Sequence, residues 1–399
     1  MLNDRTNILK EAAFHEVTKN ILPYWMNNMV DNENGGFYGG IDFYGKLDPK
    51  ASKGGVLNAR ILWTFSRAYN VLGDTKYLEM AKRAYQYLEK YFRDPEYNGI
   101  YWELDYTGKP INTQKYCYVQ GFYIYGLTEY YRAANDASAL EQADKVFHLL
   151  EKYARDKKQN GYFEAFARDW TVTDNVRISA KDLNENKTHN THLHILEAYT
   201  NLYNVCKKPE YKEALDNLIV LLAEKFYNPE NGHFKLFFDD DWNAKGELVS
   251  YGHDIETSWL LWEAILASGS DEMKEKYEPI VLHIVDVASR ESFDADGGQY
   301  YEGNPRGVVD TDKHWWPQAE AVVGFINAYD ITVNEKYLDY AAKSWQFIED
   351  YFVDKERGEW HNKLTKDRKP IESEMRAGFW KCPYHNSRVC FELITRLSK

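Results

Sequence analysis

The sequence predicts an all-α protein, an (α/α)6 barrel of twelve helices with short β-hairpins at the end that would hold an active site. Three observations predict it. A Gly-x-aromatic motif recurs six times, as Gly36-Phe37-Tyr38, Gly99-Ile100-Tyr101, Gly161-Tyr162-Phe163, Gly232-His233-Phe234, Gly298-Gln299-Tyr300 and Gly358-Glu359-Trp360, at spacings of 63, 62, 71, 66 and 60 residues. Turn-forming stretches, DFYGKL, DYTGKP and DDDWNAKG, follow several of those glycines and supply the conformations of a tight hairpin. Pairs of helix-period apolar patterns lie between successive copies.

Taken in order, the chain opens with one helix near 5–28. The segment 54–73, GGVLNARILWTFSRAYNVLG, carries apolar positions at helical spacing and ends in Gly, and KYLEMAKRAYQYLEKYF repeats the period. Further pairs are 116–134 with 137–155, 190–206 with 209–226, 253–269 with 272–290, and 314–333 with 335–352. A last helix covers 384–397. Six inner helices ringed by six outer ones close this pattern, and no Pro/Ser-rich linker interrupts it, so residues 1–399 read as one catalytic domain. Each hairpin leads into an inner helix. All six inner N-termini therefore open at the same end, and their first turns converge on one concave pocket.

Composition narrows the partners. A net charge of −13 argues against nucleic acid. No apolar run reaches the length of a membrane span, and MLNDRTNILKEAAFHEV lacks the pattern of a secretory signal, so a cytoplasmic protein is expected, a monomer or weak homodimer. Cys117, Cys206, Cys382 and Cys390 are scattered without metal or redox spacing and read as reduced thiols. The chain holds 32 Tyr, 19 Phe and 12 Trp. Such aromatics build cores, and they also cover the C–H faces of pyranose rings while bonding sugar hydroxyls.

The first turns of the inner helices carry Arg60; Tyr118 and Gln120; Asn190 and His194; His253, Glu256 and Trp259; Trp316, Gln318 and Glu320; and, before the last helix, Trp380 and His385. Asn190 is either a helix cap or a pocket residue. Of the histidines in KTHNTHLHILEAY, His192 reads as structural, His189 as solvated ahead of the helix, and His194 as pocket-facing on the same helical face as Asn190. Glu256 stands three residues after His253, placed to orient its ring and favour imidazolium. Pro317 and Pro383 suit helix starts and put the tryptophans before them on the rim.

Three chemistries compete for this ring. A glycosidase needs two flanking carboxylates, for which Glu256 and Glu320 are available. A three-histidine metal site is disfavoured by the HLH spacing. Proton transfer at a carbon beside a carbonyl suits three convergent histidines, with Arg60 stabilising an enediolate. Two bases on opposite faces of C2 of an aldose give epimerisation; one base moving the proton from C2 to C1 gives aldose–ketose isomerisation. A glycan-binding protein without activity would need the tryptophans but not the histidines.

The strings VLNARILWTFSRAY, NTHLHILEAYTNLY, GHDIETSWLLWEA, HWWPQAEA and FWKCPYHN resemble those of the cellobiose 2-epimerase family, within the N-acylglucosamine 2-epimerase superfamily. The resemblance spans almost the whole chain and agrees with the barrel. It implies reversible, cofactor-independent epimerisation at C2 of the reducing-end glucose of β-1,4-linked disaccharides, turning cellobiose into glucosylmannose and lactose into epilactose. It implies that His253 and His385 are the acid/base pair and that His194 and Arg60 lie near O1 and O2. It implies that Tyr118, Asn190, Glu256, Trp259, Trp316 and Trp380 line the pocket. A mannose-type aldose–ketose isomerase of the same superfamily is the alternative.

Overall fold

Short polar side chains cap the helices where the periodic patterns begin. Asp74, Asp136 and Asn334 accept from backbone N–H groups two residues on, and Thr188 and Ser270 from groups three residues on. A computed structural model describes residues 2–398. Its helices are α1 (Leu2–Glu16), α2 (Leu22–Asn28), α3 (Gly55–Leu72), α4 (Thr75–Tyr87), α5 (Cys117–Ala134), α6 (Ala137–Leu149), α7 (His189–Val205), α8 (Pro209–Leu221), α9 (Tyr251–Ser268), α10 (Asp271–Glu291), α11 (Trp315–Thr332), α12 (Glu335–Phe347) and α13 (Tyr384–Arg396). A π turn, Val17–Ile21, joins α1 to α2 as one rod, so the rods number twelve among the described residues. Similar π turns end α4, α6, α8 and α12.

The inner helices α3, α5, α7, α9, α11 and α13 each pack on the next, and α13 returns to α3, closing the ring. They are buried almost all round, whereas outer helices such as α4 and α12 bury one stripe. The fold is the expected (α/α)6 barrel.

The hairpins interlock. The two residues before five of the inner helices, α3 to α11, pair with the hairpin of the following repeat: Lys53 with Leu104, Lys115 with Phe166, Lys187 with Phe238, Val249 with Gly303 and Lys313 with Leu364. A bridge between Ile41 and Ala377 joins the first repeat to the last. A buried ion pair pins most of these strands from below: Lys53–Asp31 (2.7 Å), Lys115–Asp94 (3.0 Å), Lys187–Asp156 (2.7 Å), Lys313–Asp294 (3.1 Å) and Arg376–Asp354 (2.6 Å). In the fourth repeat Asn228 replaces the aspartate, and His233 instead meets Asp254 at 2.8 Å.

The recurring glycine is left-handed in five repeats, for instance Gly99 at φ 65° and Gly161 at φ 85°, which explains the residue type. In the fifth repeat the left-handed residue is Gly297, not Gly298, because the turn from Asp294 is one residue shorter.

Candidate active site

The hairpin end brings the expected residues together. Arg60 on α3 donates to the Tyr118 hydroxyl on α5 (2.8 Å), and the Tyr118 ring stands edge-on to His194 of α7 at 5.1 Å between centroids. The Trp316 ring lies 4.8 Å from that of His253 and 5.6 Å from that of His385. Trp380 sits against Tyr118 and Trp102 and keeps part of its surface open. Gly252 permits the Trp316 position, since a Cβ there would fall 2.6 Å from the indole. Below the long loop 172–186 a cavity of about 180 Å³ reaches His253 and Asn190 and is walled by Glu164 and Tyr301.

Each central histidine is anchored through Nδ1. His385 Nδ1 meets Glu320 at 2.6 Å, His194 Nδ1 meets Glu197 at 2.9 Å, and His253 Nδ1 meets the Ser250 hydroxyl at 2.8 Å. That leaves Nε2 of each ring without a protein partner among the described residues. Burial drives all three rings toward the neutral form. It carries His253 down to about 3, helped by His194 and Arg60, and His194 to about 4 against the pull of Glu197. It takes His385 well below its ordinary value, with Arg60 and Arg388 adding to the effect. These are neutral imidazoles with one nitrogen oriented and the other available as a base.

Arg388 is the cation around which the carboxylates are arranged. Its guanidinium bonds Glu197, Glu256 and Glu320 (2.6 Å to Glu320), and it lies over the Trp259 ring at 4.7 Å. Burial opposes its charge, but those three carboxylates and Tyr384 hold it protonated. Glu256 is pushed well up by burial and by the nearby Glu320 charge. Its Oε2, like Arg60 Nε and Asn190 Oδ1, is buried without a protein partner. Glu256, Glu320 and His385 place potential ligand atoms within 4.8 Å of one another, and the guanidinium of Arg388 bonds both of those carboxylates.

Two expectations need correction, those for Glu256 and His189. Glu256 does not orient His253 or favour its imidazolium; it turns to Arg388, and Ser250 holds the ring instead. His189 is not solvated ahead of the helix. It is the first residue of α7, fully buried, with Nε2 3.1 Å from the Thr257 hydroxyl. Trp259 is buried, and its indole N–H donates to Glu320 (3.0 Å), so it acts on the site through that carboxylate. Of the two readings open for Asn190, the cap falls to Thr188 instead. His192 is structural as expected, accepting from the Tyr162 amide at 2.9 Å and bonding the Thr188 carbonyl at 2.7 Å.

The reading of the sequence missed Arg388, Glu197 and Ser250. Two of them had a local signal: Glu197 stands three residues after His194 and Arg388 three after His385, the spacing that places side chains on one helical face.

Fold and site together define the class: a sugar-epimerase type of (α/α)6 barrel whose hairpin end holds anchored, uncharged histidines among aromatic rings. The chain belongs to the N-acylglucosamine 2-epimerase family, whose model matches residues 36–388. It is 48% identical to the cellobiose 2-epimerase of Bacteroides fragilis, over 97% of this chain and 99% of that one. It superposes on the solved cellobiose 2-epimerase of Bacillus thermoamylovorans with a TM-score of 0.94 at 39% identity, covering 98% of this chain and 100% of that one. A solved D-mannose isomerase shares the fold at a TM-score of 0.84 and 22% identity, over 98% and 97% of the two chains.

Proposed function

We propose that this protein catalyses reversible epimerisation at C2 of the reducing-end glucose of β-1,4-linked disaccharides, taking cellobiose to glucosylmannose and lactose to epilactose. The observation that carries the reading is the placing of two neutral, anchored histidines, His253 and His385, against one indole, Trp316. The identity to cellobiose 2-epimerases supports it.

In this reading the open-chain aldose lies on Trp316 and Trp380. Nε2 of one histidine takes the proton from C2, and the electron pair moves toward the C1 carbonyl to form a cis-enediolate. Arg60, bonded to Tyr118, and His194 stabilise the oxygens at C1 and C2. The other histidine delivers a proton to the opposite face. Glu320 steadies the imidazolium formed on His385, which keeps the Nδ1 proton in place. Unpartnered Glu256 Oε2 and Asn190 Oδ1 bond substrate hydroxyls. The second sugar ring extends into the cavity under loop 172–186. The reading needs no cofactor and no metal, takes residues 1–399 as one catalytic domain, and takes the protein as a cytoplasmic monomer or weak homodimer. No helix among the described residues is long and apolar enough to cross a membrane.

Incubation with cellobiose in D2O, with and without a chelator, tests this. Glucosylmannose carrying deuterium at C2 is expected in both. A ketose as main product, with the hydrogen at C1, favours the aldose–ketose isomerase instead.

A further inference from the structure

The larger cavity of the barrel, about 900 Å³, opens at the opposite end from the hairpins. Its walls come mainly from the middle and C-terminal parts of the inner helices, including Arg67 of α3 and Glu129 of α5, with Lys274 and Glu278 from the outer helix α10. That volume lies in the range of small-molecule sites and far exceeds what one or two buried waters need.

Three donors on its walls have no protein partner: Trp63 Nε1, Arg67 Nε and Asn327 Nδ2. Trp63 is 2% exposed and Asn327 0%, so their donors are not simply exposed to bulk solvent. Between them runs a belt of alternating charge. Arg67 meets Glu392 at 3.5 Å, Arg396 meets Glu392 at 2.8 Å and Glu263 at 2.7 Å. Carboxylates outnumber cationic groups six to four on the lining, which disfavours an anion. The guanidinium groups in the belt disfavour a cation. A ligand must then accept from the unpartnered donors and donate to the remaining lone pairs of the carboxylates while staying uncharged. Hydroxyl groups do both.

We infer that the far-end cavity is a second binding site, for a neutral polyhydroxylated molecule of the sugar or sugar-alcohol class. It is distinct from the pocket at the hairpin end. Its floor is shared with the catalytic layer: Glu197 lines the cavity and holds His194 at 2.9 Å. Occupancy there bears on a carboxylate that orients a site histidine.

The probe is trehalose, a disaccharide whose anomeric carbons are both locked in the glycosidic bond, so that it cannot open and turn over. It is titrated into protein labelled with 15N in its tryptophan indoles, and the Trp63 signal is identified by its loss in Trp63→Phe. The expected result is a saturable shift of the Trp63 indole, retained in Trp316→Ala and weakened roughly three- to tenfold in Asn327→Leu. The remaining indole signals verify that each variant is folded. A Trp63 signal that trehalose leaves unmoved up to its solubility limit overturns the inference, as does a shift abolished by Trp316→Ala. A shift produced by acetate or tetramethylammonium but not by trehalose overturns the neutral class of ligand.

Discussion

His253, His385 and His192 show how one residue type divides into separate roles by burial and by the partner of each ring nitrogen. For the first two, Nδ1 is anchored and Nε2 is left for substrate. His253→Ala and His385→Ala should each lower the epimerisation rate roughly 10²–10⁴-fold with an unchanged circular-dichroism spectrum; full activity in either would remove that ring from the chemistry. His192 has both nitrogens bonded to backbone, and burial lowers it to about 4. Its ordinary value when unfolded is about 6.5. Between those values the unfolded chain binds the extra proton, so the stability that His192 contributes is complete above the upper one and declines on acidification. The stability gap between wild type and His192→Gln should therefore narrow as pH falls from 7 to 5, by up to about 2 kcal/mol. Chemical denaturation at the two pH values measures it, and a constant gap would mean that the ring titrates alike folded and unfolded. At this scale the sequence was half legible. The three pocket histidines could be placed by counting from helix starts. Their partners could not, because Glu256 has two neighbours at hand, and Arg388, reaching across the ring from α13, takes its carboxylate in place of His253.

Helix spans were readable to within about three residues, since capping side chains and left-handed terminators mark the ends. The π turns were not, because a five-residue widening changes which groups bond without disturbing apolar spacing. One terminator stands out. The inner helices α3, α5 and α9 end on left-handed Gly73, Asn135 and Gly269, whereas α11 ends on Val333 at φ 55°. A β-branched residue is strained there, and Val333 is 71% exposed, so its side chain has little packing to lose. Val333→Gly should raise stability by about 1 kcal/mol, read as a higher thermal midpoint with unchanged kcat/KM. A lower midpoint would show that the valine methyls pack better than their exposure suggests.

Across the whole molecule, the six-fold repeat carried the fold, because evenly spaced Gly-x-aromatic motifs and paired helices admit few closures. Hairpin pairing between repeats was illegible: two-residue strands leave no periodicity to detect. The bridge between Ile41 and Ala377 closes the ring through Ile41 N–H donating to the Ala377 carbonyl at 2.8 Å. Ile41→Pro removes that donor. Because α13 bears His385 and follows directly from this junction, the thermal midpoint and kcat/KM should fall together. Loss of stability with intact turnover would mean that α13 is held by its helix packing alone.

Mutual pairing of neighbours around a closed circuit also fixes arithmetic that an open array leaves free. A solenoid gains or loses a unit at its end and needs only a new cap. Here every lead strand is completed by the next repeat, and the last is completed by the first. An added or deleted unit would leave a strand without its mate and change the angle at which all the others meet. Such a ring can diversify only by lengthening what it carries on its rim, and loop 172–186, in the longest of the five intervals between the glycine motifs, is where this chain has done so.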